Sequence, residues 1–99
     1  MQYLVIFNPK AAPPPGAPSP EAAAKLRAEQ ARGRVLYGQG GLRQSWEIAT
    51  DRHGAVCLFE ADSPEHLRTM VESFPEVAAG AVETQTIPLK PDGAYVEVE

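Results

Sequence analysis

Residues 42–61 read LRQSWEIATDRHGAVCLFEA, and the contrast between the two halves of this stretch decides the fold. Between the halves lies Asp51-Arg52-His53-Gly54, a polar break that ends in glycine. Glycine reaches positive φ without steric cost and aspartate bonds its own backbone, so such a break is hairpin chemistry. The first arm alternates, with Leu42, Gln44, Trp46 and Ile48 on one side and Arg43, Ser45, Glu47 and Ala49 on the other. The second arm, Ala55 to Phe59, is apolar at every position. Alternation marks an edge strand or a strand with a single dry face, whereas a continuous apolar run marks a strand covered on both faces. With Asp51–Gly54 as the loop, Thr50 lies opposite Ala55, Ile48 opposite Cys57 and Trp46 opposite Phe59. That aromatic pair would anchor the register by roughly 0.2–1 kcal/mol. A slip of one residue would carry Trp46 to the other face.

Upstream, Gln2 to Phe7 is a second all-apolar strand candidate, built on Tyr3, Leu4, Val5, Ile6 and Phe7 and closed by the turn signal Asn8-Pro9. Residues 9–20 form a proline-rich loop with six of the ten prolines. Proline fixes φ and lacks an amide donor, so this segment reads as a stiff, extended connector; a polyproline ligand is the less economical reading. Ser19-Pro20-Glu21 starts a helix: the serine caps, proline fits the first turn and glutamate suits the dipole. Alanines and Leu26 carry this helix to about Ala31. Gly33 weakens it, and a further turn or two reaches the stop at Gly38-Gln39-Gly40-Gly41. No Lys-Ser/Thr pair follows these glycines and a strand comes next, so they are not a phosphate loop.

Downstream, Asp62-Ser63-Pro64-Glu65 repeats the capped start. Leu67, Met70, Val71 and Phe74 then give one apolar helical face, which Pro75 ends. Ala81 to Leu89 is a final alternating strand whose Pro88 suits an edge, and Tyr95 to Val98 is a candidate short terminal strand. The order is β-α-β-β-α-β, an α+β, ferredoxin-like arrangement: an antiparallel four-stranded sheet of order 4-1-3-2 with two helices on one face. Its two central strands are the two all-apolar ones. Helices cover only one side of such a sheet, so the other side needs a cover, and a second copy packed sheet against sheet supplies it. The expectation is a homodimer with a barrel-like interface, with Glu47 and Glu60 on the face opposite Trp46, where they could pair with Arg43 across that interface.

The chain of 99 residues has the size of a single domain spanning 1–99. Hydrophobic residues make up 43% and charged residues 22%, with a net charge of -4 and no basic cluster, which argues against nucleic acid as a partner. No apolar run is long enough to span a bilayer. The start MQYLVIFNPK has no positive flank before its short apolar run, so a signal peptide is not expected and the cytoplasm is the default location. One cysteine, Cys57, makes neither an internal disulfide nor a cysteine zinc cluster.

Glu29, the Gly38-Gln39-Gly40 stop, Trp46-Glu47-Ile48, the run Val56-Cys57-Leu58-Phe59-Glu60-Ala61-Asp62-Ser63, Ser73-Phe74-Pro75 and Ile87-Pro88-Leu89 together resemble the muconolactone delta-isomerase family, of the dimeric α+β barrel superfamily. The resemblance covers about Glu29 to Leu89 and rests on spacing and hydrophobic character. It implies an enzyme that shifts a double bond in an unsaturated lactone with no metal or organic cofactor, assembling from dimers into larger homo-oligomers. Superfamily relatives include cofactor-independent monooxygenases and cyclases of aromatic or polyketide substrates. The proline-rich segment departs from the family pattern and leaves the substrate open. The expected function is thus a cofactor-free isomerase or cyclase of a small molecule. A cofactor-independent monooxygenase of the same fold, or a non-catalytic binding and assembly module, is the alternative.

In such folds the pocket is expected between sheet and helices. Moving a double bond next to a carbonyl needs a base that takes a proton and returns it at another carbon, and a carboxylate in a dry pocket suits that work. The resemblance implies Glu29 as the base, and Tyr37 is the candidate donor to the developing oxyanion. Trp46, Gln44, Tyr3 and Phe59 are the candidate substrate-binding residues. Each also has a plain structural reading: a solvated helical carboxylate for Glu29, an amphipathic helix end for Tyr37, an edge-strand polar residue for Gln44 and core packing for the other aromatics. His53 reads as an exposed turn residue, His66 as the solvent side of the second helix, and Cys57 as a buried, inert thiol. With no third ligand near the histidines, no metal site is expected.

Overall fold

The computed structural model describes residues 1–94. The elements are β1 (Gln2–Pro9), α1 (Pro20–Gly38), β2 (Leu42–Glu47), β3 (Ala55–Glu60), α2 (Pro64–Glu72), α3 (Pro75–Ala78) and β4 (Val82–Pro88). The sheet has the order β2-β3-β1-β4, and all three pairings are antiparallel. The two all-apolar runs are its central strands, as their composition requires, and Pro88 ends the edge strand β4. The candidate strand Tyr95–Val98 lies outside the described residues.

Both longer helices begin as the sequence indicates. Ser19 Oγ accepts from the Ala22 amide at 3.1 Å and Ser63 Oγ from the His66 amide at 3.0 Å, with proline next in each case. The first helix does not stop near Gly33. It runs on to Gly38, and the bare Gly33 backbone lies against Phe74 and Leu42, atoms of which fall 3.8 and 3.9 Å from where a Cβ would stand. A loop closed by two hydrogen bonds then terminates it, Gly40 N–H to Tyr37 O at 3.1 Å and Gly41 N–H to Leu36 O at 3.0 Å, with Gly40 at φ +83. This pairing satisfies the last carbonyls and requires the left-handed conformation that glycine adopts freely. Only Leu36 of α1 is buried. The alanine-rich first half has high intrinsic helix propensity and is almost wholly exposed. Pro75 ends α2 and, as the first residue of the next turn, begins α3.

The hairpin register differs from the one expected. Trp46 lies opposite Val56, Ser45 opposite Cys57 and Glu47 opposite Ala55. The connection is longer than Asp51–Gly54: the Ile48 amide closes it by donating to Gly54 O at 3.1 Å. Gly54 sits at φ +137, and a Cβ there would run into the Phe7 carbonyl, so the tight approach of this loop to β1 requires glycine. Arg52 ties the loop down through its side-chain bond to Asn8. At the other end a bulge between Leu42 and Gln44 returns Leu42 to a position opposite Phe59. Trp46 therefore does not pair with Phe59, and Leu42 does not share a face with Gln44 and Trp46.

Pleat parity sorts the side chains into two layers. On the helix-covered face, Tyr3, Val5, Cys57, Phe59 and Leu42 join Leu36, Ala61, Leu67, Met70, Val71 and Phe74 in one buried cluster. On the open face, Leu4, Ile6, Val56, Leu58 and Ile87 stand side by side, half-buried, with Gln44 and Trp46 at the β2 edge. Glu47 and Glu60 do not share a face: Glu47 is on the helix side, opposite Ala55, and Glu60 is on the open side, opposite Gln2. Glu60 faces the N-terminal ammonium of its own chain at 3.4 Å rather than Arg43.

Candidate functional site

The side chains with chemical potential gather where α1 crosses the link between α2 and α3. In a helix of 3.6 residues per turn, Glu29, Arg32, Gly33 and Leu36 fall on one side. Leu36 enters the core and Gly33 lies on Phe74. Glu29 and Arg32 reach the link itself. The Glu76 amide donates to Glu29 Oε1 at 2.5 Å, and Arg32 Nε–H donates to Ser73 Oγ at 2.7 Å, while Ser73 Oγ–H donates to the Met70 carbonyl at 2.5 Å. Phe74 meets Phe7 edge to face with centroids 5.5 Å apart, and Phe7 in turn meets Phe59 at 6.4 Å, so the corner stands on an aromatic floor.

Glu29 is half-buried, and its carboxyl is held above the ordinary glutamate value. Burial, which penalises the charged form, is the largest cause. The bond from the Glu76 amide opposes it, and the nearby Glu76 carboxylate adds to it. The result is a carboxylate with one oxygen anchored to the first turn of α3 and a raised affinity for a proton. Its location on the helical side of the sheet is the one the sequence indicates.

The other expected site residues are distributed differently. Tyr3 and Phe59 are fully packed, at 3% and 0% exposure, and form the core beneath the corner. The space between sheet and helices, where a pocket was expected, is filled by them together with Val5, Leu67, Met70 and Val71. Tyr37 is 66% exposed and turned a quarter-circle from Glu29 about the helix axis. With Gln30, Gly33, Arg34 and Leu42 it lines a separate, shallow groove between α1 and the start of β2. Trp46, at 49% exposure, and Gln44 belong to the open face, with the sheet between them and Glu29. Among the described residues, the groove that holds Tyr37 contains neither Glu29 nor Trp46.

Cys57 is buried, its thiol pushed up by burial and eased by the bond to Ser45, whose Oγ is 3.3 Å away. His53 is exposed in the hairpin loop; His66 is exposed too, its Nδ1 accepting from the Asp62 amide at 3.0 Å. Among the described residues no three His, Cys, Asp or Glu side chains gather as a metal-binding group, and no helix is long and apolar enough to cross a membrane. Sequence reading overlooked Arg32 and Ser73. Their partnership joins positions 41 residues apart, and no local pattern encodes it. The only available hint was that Arg32 shares a helical face with Glu29 and Leu36.

Comparison with known proteins bears on this site. Residues 1–93 match the muconolactone delta-isomerase family. The fold is similar to the crystal structure of muconolactone isomerase, with a TM-score of 0.77 and 17% identity, covering 100% of this chain and 98% of that one. It is also similar to 5-chloro-2-hydroxyhydroquinone dehydrochlorinase from Burkholderia phenoliruptrix AC1100, solved in complex with 2,5-dihydroxybenzoquinone, with a TM-score of 0.66 and 19% identity over 95% of this chain and 98% of that one. At these identities the likeness is one of fold. No curated protein sequence matches significantly.

Proposed function

The chain belongs to the muconolactone delta-isomerase family, and from that premise we propose that it is an isomerase or cyclase that moves a proton on a small unsaturated ring without a cofactor. The observation that carries the reading is Glu29: a half-buried carboxyl on the helix-covered side, with raised proton affinity and one oxygen fixed by the Glu76 amide. A base for this work must take a proton from a carbon made acidic by a conjugated carbonyl and then give it back at a second carbon. A carboxyl raised above its ordinary value is better matched to that exchange than a solvated one, because it holds the proton long enough to return it. Oε1 is anchored, which leaves Oε2 for the transfer. Unsaturated lactones and quinone-like rings are the substrate class, the first from the family and the second from the ring bound by the structurally similar dehydrochlorinase.

The working site extends beyond one chain in this reading. Trp46 and Gln44 edge an open sheet face whose centre is Leu4, Ile6, Val56 and Leu58, and all three helices lie on the other side. A contiguous apolar surface of this kind is rarely left to solvent. A second copy is its cover, as a homodimer with the two sheets face to face. Tyr37 stays a candidate oxyanion donor only if its groove is closed by such a neighbour.

The test is hydrogen–deuterium exchange at the acidic carbon of muconolactone in deuterated water, with isomer formation followed by NMR. Glu29→Gln keeps the hydrogen-bond acceptor and loses the base, so exchange and isomerisation fall at least about a hundredfold. Undiminished exchange in Glu29→Gln removes the base assignment. Oxygen uptake during turnover replaces the isomerase reading with the monooxygenase one, and a wild-type protein that binds the ring without exchange leaves the binding module.

A further inference from the structure

The proline-rich strap between β1 and α1 has no part in the reaction as described so far. Its two ends are anchored, the Lys10 amide donating to Ala81 O at 3.0 Å and Ser19 O accepting from the Ala23 amide at 2.8 Å. Between them, residues 11–18 are exposed throughout and make no hydrogen bond to any described residue. Gly16 turns the strap at φ +92, with nothing within 4 Å of where its Cβ would stand. Pro13-Pro14-Pro15 leads into that turn. Consecutive prolines favour a left-handed extended helix, so this run is one stiff turn about 9 Å long. It has no amide proton and presents carbonyl acceptors only.

The groove between α1 and the start of β2 is the complement of such a run. Gln30, Gly33, Arg34 and Tyr37 line about two turns of α1, a length of about 10 Å, with Leu42 beside them. The Tyr37 ring is 66% exposed, and Gly33 contributes no side chain to crowd it. The polar groups at the edges are donors: the Gln30 amide, the Arg34 guanidinium and the Tyr37 hydroxyl. None of the three takes part in a side-chain hydrogen bond or ion pair among the described residues. An aromatic groove takes a proline-rich segment well, because the ligand is already extended and loses little entropy on binding.

The strap cannot fill the groove of its own chain. Pro13 is four residues past Pro9, at most about 14 Å of extended chain. The groove residue Leu42 lies opposite Phe59, and Phe59 opposite Tyr3, six residues or about 20 Å back along β1 from Pro9. From the other side, Pro15 is five residues from Pro20, at most about 18 Å, whereas Tyr37 stands about 26 Å along α1. The occupant must come from another molecule, and a second copy of the chain brings one strap for every groove.

We propose that Pro13–Pro15 of one chain seats in the Tyr37 groove of a second copy, with prolyl rings against the Tyr37 ring and prolyl carbonyls accepting from Gln30, Arg34 and Tyr37. Strap and groove lie at opposite ends of α1, so two copies with antiparallel first helices exchange both contacts about one two-fold axis. This surface is separate from the open sheet face. Two such straps bury less than the roughly 1,200 Å² of a stable interface, so lone chains stay apart at micromolar concentration. Pairs already joined through their sheets carry two sites each, and multiple contacts raise the apparent affinity. The contact goes beyond the catalytic reading and stands whether or not Glu29 is the base.

The test mixes carbon-13-labelled and unlabelled wild-type chains, refolds them together and records isotope-filtered NMR. Nuclear Overhauser effects are expected between the Tyr37 ring of one copy and the prolyl ring protons of Pro13–Pro15 of another. Sedimentation equilibrium at rising concentration is expected to carry the wild type past twice the 10.7 kDa chain mass. Replacing Pro13, Pro14 and Pro15 together with serine, or Tyr37→Ser, weakens that further association at least about tenfold and leaves the two-chain species intact. All four positions are exposed, so circular dichroism is expected to show an unchanged fold. A capped peptide of residues 10–20 competes, shifting the Tyr37 ring resonances and returning the wild type to two chains, while its triple-serine counterpart does neither. No proline–Tyr37 effect between copies, another segment found against the Tyr37 ring, a wild type that never exceeds two chains, or a triple-serine variant that assembles like the wild type overturns the proposal.

Discussion

The two faces of the sheet are made by alternate residues of the same strands, and they have different fates. On one face Tyr3, Val5 and Phe59 lie under α1 and α2 and are sealed, with exposures of 3%, 0% and 0%. On the other, Leu4, Ile6, Val56 and Leu58 are as apolar but only half-buried, shielding each other and bordered by an exposed Trp46. Composition is the same on both sides and the difference lies in the roof. An all-apolar central strand thus specifies two covers, and the described residues fold only one of them onto the sheet. The same division separates the chemistry. Glu29 and Arg32 border the sealed face, whereas Trp46 and Gln44 edge the open one.

The contrast is sharpest when one residue is removed from each face. Phe59→Ala cuts a void in the sealed core and is expected to cost about 3–5 kcal/mol in denaturant unfolding, at any protein concentration. Leu58→Ala, its neighbour on the other face, is expected to cost less, about 1–2 kcal/mol. In the proposed homodimer that cost falls at the interface, so the variant's deficit relative to the wild type depends on protein concentration, whereas that of Phe59→Ala does not. Equal, concentration-independent losses for the two would erase the distinction between the faces.

A smaller effect tests the rim of the sealed face. Burial raises the Glu29 carboxyl above its ordinary value of 4.5, so the folded state holds this proton more tightly than the unfolded chain. The stability contributed by the protonated form is complete below that ordinary value and is lost as pH rises through the raised one. Glu29→Gln removes this slope. Relative to this variant, the wild type loses stability as pH rises from the ordinary glutamate value through the raised one, and near neutrality the variant is at least as stable. A wild type whose stability does not fall relative to that of Glu29→Gln over the same rise would show that Glu29 is not desolvated.

Much of the fold was legible because local chemistry encodes it. Ser19-Pro20 and Ser63-Pro64 start helices wherever they occur before a helical pattern, and two uninterrupted apolar runs can only be the centre of this sheet. The hairpin register was not legible, because it depends on where the loop closes. The loop closes through the Ile48–Gly54 bond where Gly54 meets Phe7, which moves Trp46 off the face that composition suggests, and the bulge beside Arg43 then separates Leu42 from Gln44 and Trp46. The length of α1 was hidden for a similar reason: Gly33 weakens an isolated helix but lets this one lie close to Phe74 and Leu42. At the proposed site, Glu29 was visible as a carboxylate on the first helix. Arg32 and Ser73 acquire meaning only when α1 crosses the α2–α3 link.

Sedimentation equilibrium of the wild type beside Leu58→Asp addresses the central claim, that the open face is closed by a second copy of the chain. The wild type is expected at no less than twice the 10.7 kDa chain mass at micromolar concentration, and the charged variant, still folded, at the mass of one chain. A wild type that sediments as a single chain, or a Leu58→Asp variant whose assembly is unchanged, would contradict it.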